Sequence, residues 1–362
     1  MSAVAESTSS PQDSSSLNFR LSTARELLQR AVSGEDPCLS LGCQILDAFL
    51  RGGLRKGVTE LAGESACGKT QFALQLLLQA QLPVEQRGLN SASFYLCTED
   101  LPITRLKQLA EAYNVKYPWT AEYDFCQNVF IERVTAVEDF LDVLFHRLPT
   151  FLEKRRDIRL IVIDSIASVL RTEFEQGEYS DRATLLFSIG SQLAQLASAY
   201  SCIILVINQV TDKVQNEEYK LCPSSTNSSV CLSHWSVRSS GRLVTSSLGL
   251  SWAHCVNTRL FLSRELSSAL PPFDQPTSAV IRSTPAESPV VAATNRIPQP
   301  SANHSCATPP PSSFCTLPNQ PSTHCIRKLH VIFSSYLPCS NDSDSVDGAC
   351  PFIISHEGVR GV

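Results

Sequence analysis

The stretch GESACGKT, residues 63–70, runs directly into QFALQLLLQAQL, residues 71–82. Gly63, then Glu64, Ser65, Ala66 and Cys67, then Gly68, Lys69 and Thr70 fit the pattern G-x-x-x-x-G-K-[ST] without a mismatch. VTELA (58–62) predicts a short strand before it, and the apolar spacing over 69–82 predicts a helix after it. In that setting Gly63 and Gly68 let the chain turn tightly, so that successive N–H groups wrap a phosphate. The helix start adds unpaired N–H groups and the positive end of its dipole. Lys69 is expected to reach the outer phosphates of a nucleoside triphosphate, and the Thr70 hydroxyl to coordinate Mg²⁺. Cys67 reads as a small filler, although a thiol at a helix N-terminus tends toward a depressed pKa and hence toward alkylation.

Outward from this loop, strand-like and helix-like patterns alternate between residue 38 and about residue 265. SASFYLC (91–97), NVFIERV (128–134), LIVID (160–164), CIILVIN (202–208) and TRLFL (258–262) predict strands. Helical spacing lies between them at 103–113, 137–148 and 183–199. Apolar runs such as LIVID and CIILVIN suit strands covered on both faces, which predicts an α/β fold with a mainly parallel sheet flanked by helices. Asp164, ending LIVID, suits a carboxylate that holds Mg²⁺ through water. Glu99 in LCTED is the best-placed group to orient a water, and Gln209 in NQV is a candidate sensor of the γ-phosphate. Spacing alone does not separate either of these two from a surface residue. Ser165 has no indicated His partner, so no nucleophile is expected there.

The 362 residues carry a net charge of −5 and are 43% hydrophobic and 18% charged, as in an ordinary globular protein. That balance excludes a strongly basic nucleic-acid binder, and any such contact must be local or shared with a partner. The 14 cysteines include no CxxC pair and no cluster with metal spacing, so reduced thiols in cytosol or nucleus are expected. Neither a signal peptide nor a membrane-spanning run is expected.

Three regions depart from the alternation. Residues 1–16 are Ser-rich and predict disorder. Residues 211–248 are rich in Ser and Asn with little periodicity, which predicts a long mobile loop. Between 271 and 321 lie 12 of the 21 prolines, so 266–325 predicts a disordered insertion. RKLHVIF (327–333) and FIIS (352–355) then resume as strands completing the first sheet. The expected organisation is therefore a disordered 1–16, a linker at 17–37 with helical spacing, and a core over 38–362. No internal repeat is visible.

RGGL (51–54), GESACGKT, FYLCTED (94–100), LIVIDS (160–165) and VINQV (206–210) occur in one order, and together they resemble the RecA-like recombinases of eukaryotes and archaea. LSLGCQILDAFLRGGL (39–54) and HEGVRG (356–361) resemble a paralogue of the strand-exchange recombinase within that family. The likeness covers about 38–265 and 326–361. It implies a RecA-like P-loop NTPase core, ATP and Mg²⁺ as cofactors, slow DNA-stimulated hydrolysis, and a nuclear role in homologous recombination. By that resemblance Glu99 matches the catalytic glutamate, Arg105 the arginine stacked on adenine, and Gln209 the glutamine coupling the γ-phosphate to the second DNA loop. Residues 171–182 and 211–248 match the two DNA loops. Within the second, Lys213, Arg238 and Arg242, with Trp235, would meet single-stranded or branched DNA, or would equally suit a solvated loop.

LSTARELLQR (21–30) resembles the linker that grips a neighbouring subunit, with Leu21 in the aromatic position and Ala24 keeping the alanine. An aliphatic Leu21 fills less of an aromatic pocket, which favours a second recombinase paralogue, or the main recombinase, over self-polymerisation. The other reading is a helix packed on its own core. Three departures from the family stand out: a short stretch ahead of the linker, an ATP cap at FSSYLP (333–338) matching only at Pro338, and the insertion. The implied activity is that of a DNA-dependent ATPase subunit. The alternatives are an interaction subunit in which ATP only stabilises the interface, and a small-substrate kinase, for which 211–248 is too poor in arginine to clamp two substrates.

Overall fold

Strands buried on both faces must feed alternate side chains to opposite sides. In Ile158–Asp164, Leu160 and Val162 enter one core while Ile161 and Ile163 enter the other; in Ile203–Asn208 the alternation is Ile203, Leu205, Ile207 against Ile204, Val206. A computed structural model describes residues 23–26, 38–170, 179–212, 230–231, 236–265, 326–340 and 348–362. These residues belong to one compact unit, built from the chain up to Leu266 and from Cys325 onward.

The strands are β1 (Cys38–Leu39), β2 (Leu54–Arg55), β3 (Gly57–Gly63), β4 (Ala92–Cys97), β5 (Val129–Arg133), β6 (Ile158–Asp164), β7 (Ile203–Asn208), β8 (Val210–Asp212), β9 (Val230–Cys231), β10 (Ser236–Ser239), β11 (Arg242–Ser246), β12 (Thr258–Arg264), β13 (Arg327–Ser334), β14 (Ala349–Ser355) and β15 (Gly358–Gly361). The main sheet runs β15-β14-β13-β12-β3-β7-β6-β4-β5. Strands β12, β3, β7, β6, β4 and β5 pair in parallel, and β13, β14 and β15 extend the sheet antiparallel.

Helices α1 (Gln44–Phe49), α2 (Lys69–Gln79) and α3 (Ile103–Lys116) cover the face that includes Leu205. On the other face lie α4 (Val137–Asp142), α5 (Leu148–Lys154), α6 (Ile166–Leu170), α7 (Tyr179–Ala199) and α8 (Gly249–Ala253), where Trp252 is fully buried. The helix expected over 137–148 continues through a π-helical turn, Val143–Arg147, into α5, where Pro149 sits in the first turn and needs no N–H partner. Among the described residues no helix is long and apolar enough to cross a membrane.

One expectation is corrected for the described part of 211–248, residues 211–212, 230–231 and 236–248: there β8, β11, β10 and β9 make a four-stranded antiparallel sheet in that order, where a loop was expected. Its centre is the hairpin of β10 and β11, where Ser239 pairs with Arg242 and both turn residues have positive φ, Ser240 at 48° and Gly241 at 79°. Such a turn matches the twist of the strands it joins. The signal was present, a Ser-Gly pair between short alternating segments, but the surrounding Ser and Asn obscured it.

In the linker, Thr23 and Glu26 cap each other's backbone N–H groups, at 3.2 and 2.9 Å, and open a helical turn at Ala24. Ala24 is exposed there. Leu21, Lys213, Trp235, residues 171–178 and the proline-rich 266–325 lie outside the described residues.

Candidate functional site

Parallel strands deliver their carboxyl ends, and the loops after them, to one edge of the sheet. There β3 ends in the phosphate loop, β4 in Thr98–Pro102, β6 in Asp164 and β7 in Gln209. These segments wall a cavity of about 940 Å³, lined by Gly63–Ala66, Gly68–Gln71, Glu99, Asp164 and Gln209. The phosphate loop, Glu99, Asp164 and Gln209 therefore share one cavity.

The loop's conformation follows from its residues. Gly68, the N-cap of α2, has φ 107°, and a Cβ there would stand 2.5 Å from Ile354 Cδ1 of β14. At Gly63 a Cβ would approach the Leu262 carbonyl of β12 to 2.7 Å, so this glycine answers to strand packing as well as to the turn. Lys69 Nζ donates to the carbonyls of Gly63 and Glu64, both at 2.7 Å. Burial pulls its pKa down, against the neighbouring Cys67, Asp164 and Glu64. The ammonium is thus held by two main-chain carbonyls of the loop.

Thr70 Oγ1 and the Tyr95 hydroxyl both donate to Asp164 Oδ2, at 2.8 and 2.7 Å. Burial, then the Asp164 charge, push the Tyr95 hydroxyl far up, so it stays a donor and fixes the carboxylate. Tyr95 was missed in the sequence, although a tyrosine inside an apolar strand needs a partner for its hydroxyl. A hydroxyl paired with a carboxylate beside a phosphate cradle is a donor set that fits Mg²⁺. No group of three or more His, Cys, Asp or Glu side chains able to hold a metal occurs among the described residues, so an ion here would depend on phosphate oxygens.

Arg105 does not line the cavity: its Nε donates to Gln71 Oε1 at 2.8 Å, and its Nη2 and Nη1 donate to the carbonyls of Ser355 and His356 at 2.6 and 2.9 Å. It ties α3 to the turn between β14 and β15. Cys67 is fully buried and its thiol is pushed up by that burial. The filler reading suits it. Arg242 pairs with Glu64 of the phosphate loop and with Asp212 while its side chain stays exposed; Arg238 is exposed on β10.

Glu64 is the second site residue whose partners the sequence concealed. Its carboxylate is buried and accepts from the Ser239 and Ser240 hydroxyls, both at 2.7 Å, and from Arg242. Burial raises its pKa, but these donors outweigh it and hold the carboxyl below its ordinary value. The hairpin is thereby pinned to the phosphate loop.

The Rad51 family pattern matches residues 36–232. A DNA repair protein XRCC3 homolog of Arabidopsis thaliana is 33% identical over 334 residues, 90% of this chain and 93% of that protein. The DNA repair protein XRCC3 of Bos taurus is 32% identical over 331 residues, 90% of this chain and 74% of its own. The DNA repair protein RAD51 homolog 2 of Mus musculus is 33% identical over 263 residues, 67% of this chain and 71% of its own. With the phosphate loop, the strand order and these similarities in hand, the chain belongs to the Rad51 family.

Proposed function

We propose that this chain is an ATP-binding subunit of a recombinase-paralogue complex acting in DNA repair by homologous recombination in the nucleus, with weak DNA-stimulated hydrolysis of its own. The observation that carries the reading is the single cavity shared by the phosphate loop, the Thr70–Asp164 pair, Glu99 and Gln209. The relatives' names, all DNA repair proteins, support the process.

Lys69 would exchange the Gly63 and Glu64 carbonyls for the outer phosphate oxygens. Thr70 and Asp164 would hold Mg²⁺, which supplies the positive charge that phosphoryl transfer needs. Glu99, exposed on the wall, would accept the proton of an attacking water, and Gln209 would bond the terminal phosphate and report it to the strands that follow β7. The partner is a second paralogue. The linker of this chain, through Leu21 and Ala24, would grip it, and the edge strand β5 offers a further apolar surface, where Phe94, Phe130, Ile131 and Phe151 line a groove of about 580 Å³ and Ile131 is exposed.

Lys69→Ala and Glu99→Gln together test the reading. The first is expected to cut ATP affinity about a hundredfold, since a charged hydrogen-bond donor is lost from a buried site. The second should leave binding within about twofold and remove DNA-stimulated phosphate release. ATP affinity surviving Lys69→Ala would overturn the site. Repair function retained in Glu99→Gln would favour the alternative, a non-hydrolysing subunit in which ATP stabilises the partner interface.

A further inference from the structure

Arg242 is a cation on the phosphate cavity that the roles above leave unused. It opens β11 immediately after the Ser240–Gly241 turn, and its guanidinium reaches back to the phosphate loop. Nη2 donates to Glu64 Oε1 at 2.5 Å and Nη1 to Asp212 Oδ2 at 2.9 Å. Its side chain is still 57% exposed, and it lines the same cavity as Lys69, Thr70 and Asp164.

The two carboxylates that hold it are not equally dependent on it. Asp212 is itself 57% exposed, and an exposed pair of this kind contributes little. Glu64 is 4% exposed, but it keeps other partners: the Ser239 and Ser240 hydroxyls on Oε2, and Arg264 Nη2 at 3.8 Å from that same oxygen. When Arg242 leaves, Glu64 keeps its three contacts on Oε2 and gives up the donor on Oε1. A guanidinium that already spans carboxylate oxygens has the fork geometry that phosphate oxygens accept. It enters the cavity beside Asp212 of β8, the strand that follows Gln209, while the Lys69 ammonium bonds the main-chain carbonyl of the same Glu64.

We infer that Arg242 is a ligand for the terminal phosphate of the bound triphosphate, exchanging Glu64 for it, so that the hairpin β10–β11 distinguishes a triphosphate from a diphosphate. This rests on the ATP reading above. With a diphosphate the terminal oxygens are missing, and Arg242 stays with Glu64 and Asp212. The hairpin thus carries within this chain a contact that reads the state of its own nucleotide.

The test is calorimetric binding of AMP-PNP and of ADP, each with Mg²⁺, to the full chain and to Arg242→Ala and Arg242→Lys. Arg242→Ala is expected to weaken AMP-PNP about tenfold or more and ADP by less than about twofold. Arg242→Lys should recover part of the difference. A second measurement needs no variant: AMP-PNP, but not ADP, should slow tryptic cleavage after Arg242 in the wild-type chain. Equal losses for both nucleotides, or no loss, together with equal protease protection, would overturn the inference and leave the ATP site standing. A wild-type chain that binds neither nucleotide would sink the ATP reading and this one with it.

Discussion

Glu60 has no access to water, yet it lies in β3, three residues before Gly63 opens the phosphate loop. Its Oε1 accepts from Asn208 Nδ2 and Ser246 Oγ, both at 2.6 Å, and its Oε2 from Arg259 Nε at 2.5 Å. One carboxylate therefore ties β3 to β7, β11 and β12, directly beneath Gln209. A buried pair contributes little net stability, but breaking it leaves an uncompensated charge. Arg259→Ala is expected to destabilise the fold by roughly 3–5 kcal/mol in urea melts. Replacing Glu60 and Arg259 together by methionine should recover only the part due to the unpaired charge, because Asn208 Nδ2 and Ser246 Oγ lose their acceptor. If Arg259→Ala unfolds at the wild-type midpoint, the pair does not hold these strands. In the sequence, the acid inside VTELA was visible, but partners at positions 208, 246 and 259 emerge only once the strands are ordered in space.

At the scale of elements, the hairpin β10–β11 bears on both proposals, because Ser239, Ser240 and Arg242 all meet Glu64. Its integrity depends on a two-residue turn in which Gly241 occupies φ 79°. A β-branched side chain there is strained by about 1–2 kcal/mol. Gly241→Val is therefore expected to speed amide exchange at Val237 and Val244 roughly tenfold while leaving Val206 in β7 unchanged. Equal acceleration in β7 would mean that the hairpin does not open as a separate unit. Arg105 makes the complementary point at this scale. Its place in ITRL fits the family's adenine-stacking arginine, but the antiparallel strands β14 and β15 bring the carbonyls of Ser355 and His356 within its reach.

For the whole molecule, the decisive relation is between β12 and β13. They pair antiparallel through Arg264 and Arg327, so the chain leaves the sheet and returns to it at neighbouring positions. A short turn is enough to join two such ends. Replacing residues 267–324 with a turn of about six residues is expected to preserve the fold. A loop about tenfold shorter relieves closure entropy worth about 2 kcal/mol, so the urea midpoint should rise or stay level. A large fall would show that the excised segment packs on the core.

The sequence by itself determined the class of the fold and the place of its glycine-rich loop. GESACGKT between a strand and a helix, with LIVID and CIILVIN apolar up to a polar last residue, left few other ways to satisfy backbone and side chains. Those signals are local, contained within a loop or one strand. What only the tertiary structure decided is which distant groups converge: Tyr95 on Asp164, the hairpin on Glu64, and Arg259 on Glu60. Each joins residues far apart in the chain through a sheet order that no spacing encodes, and each is a polar group whose burial is tolerable only because its partner arrives from another strand.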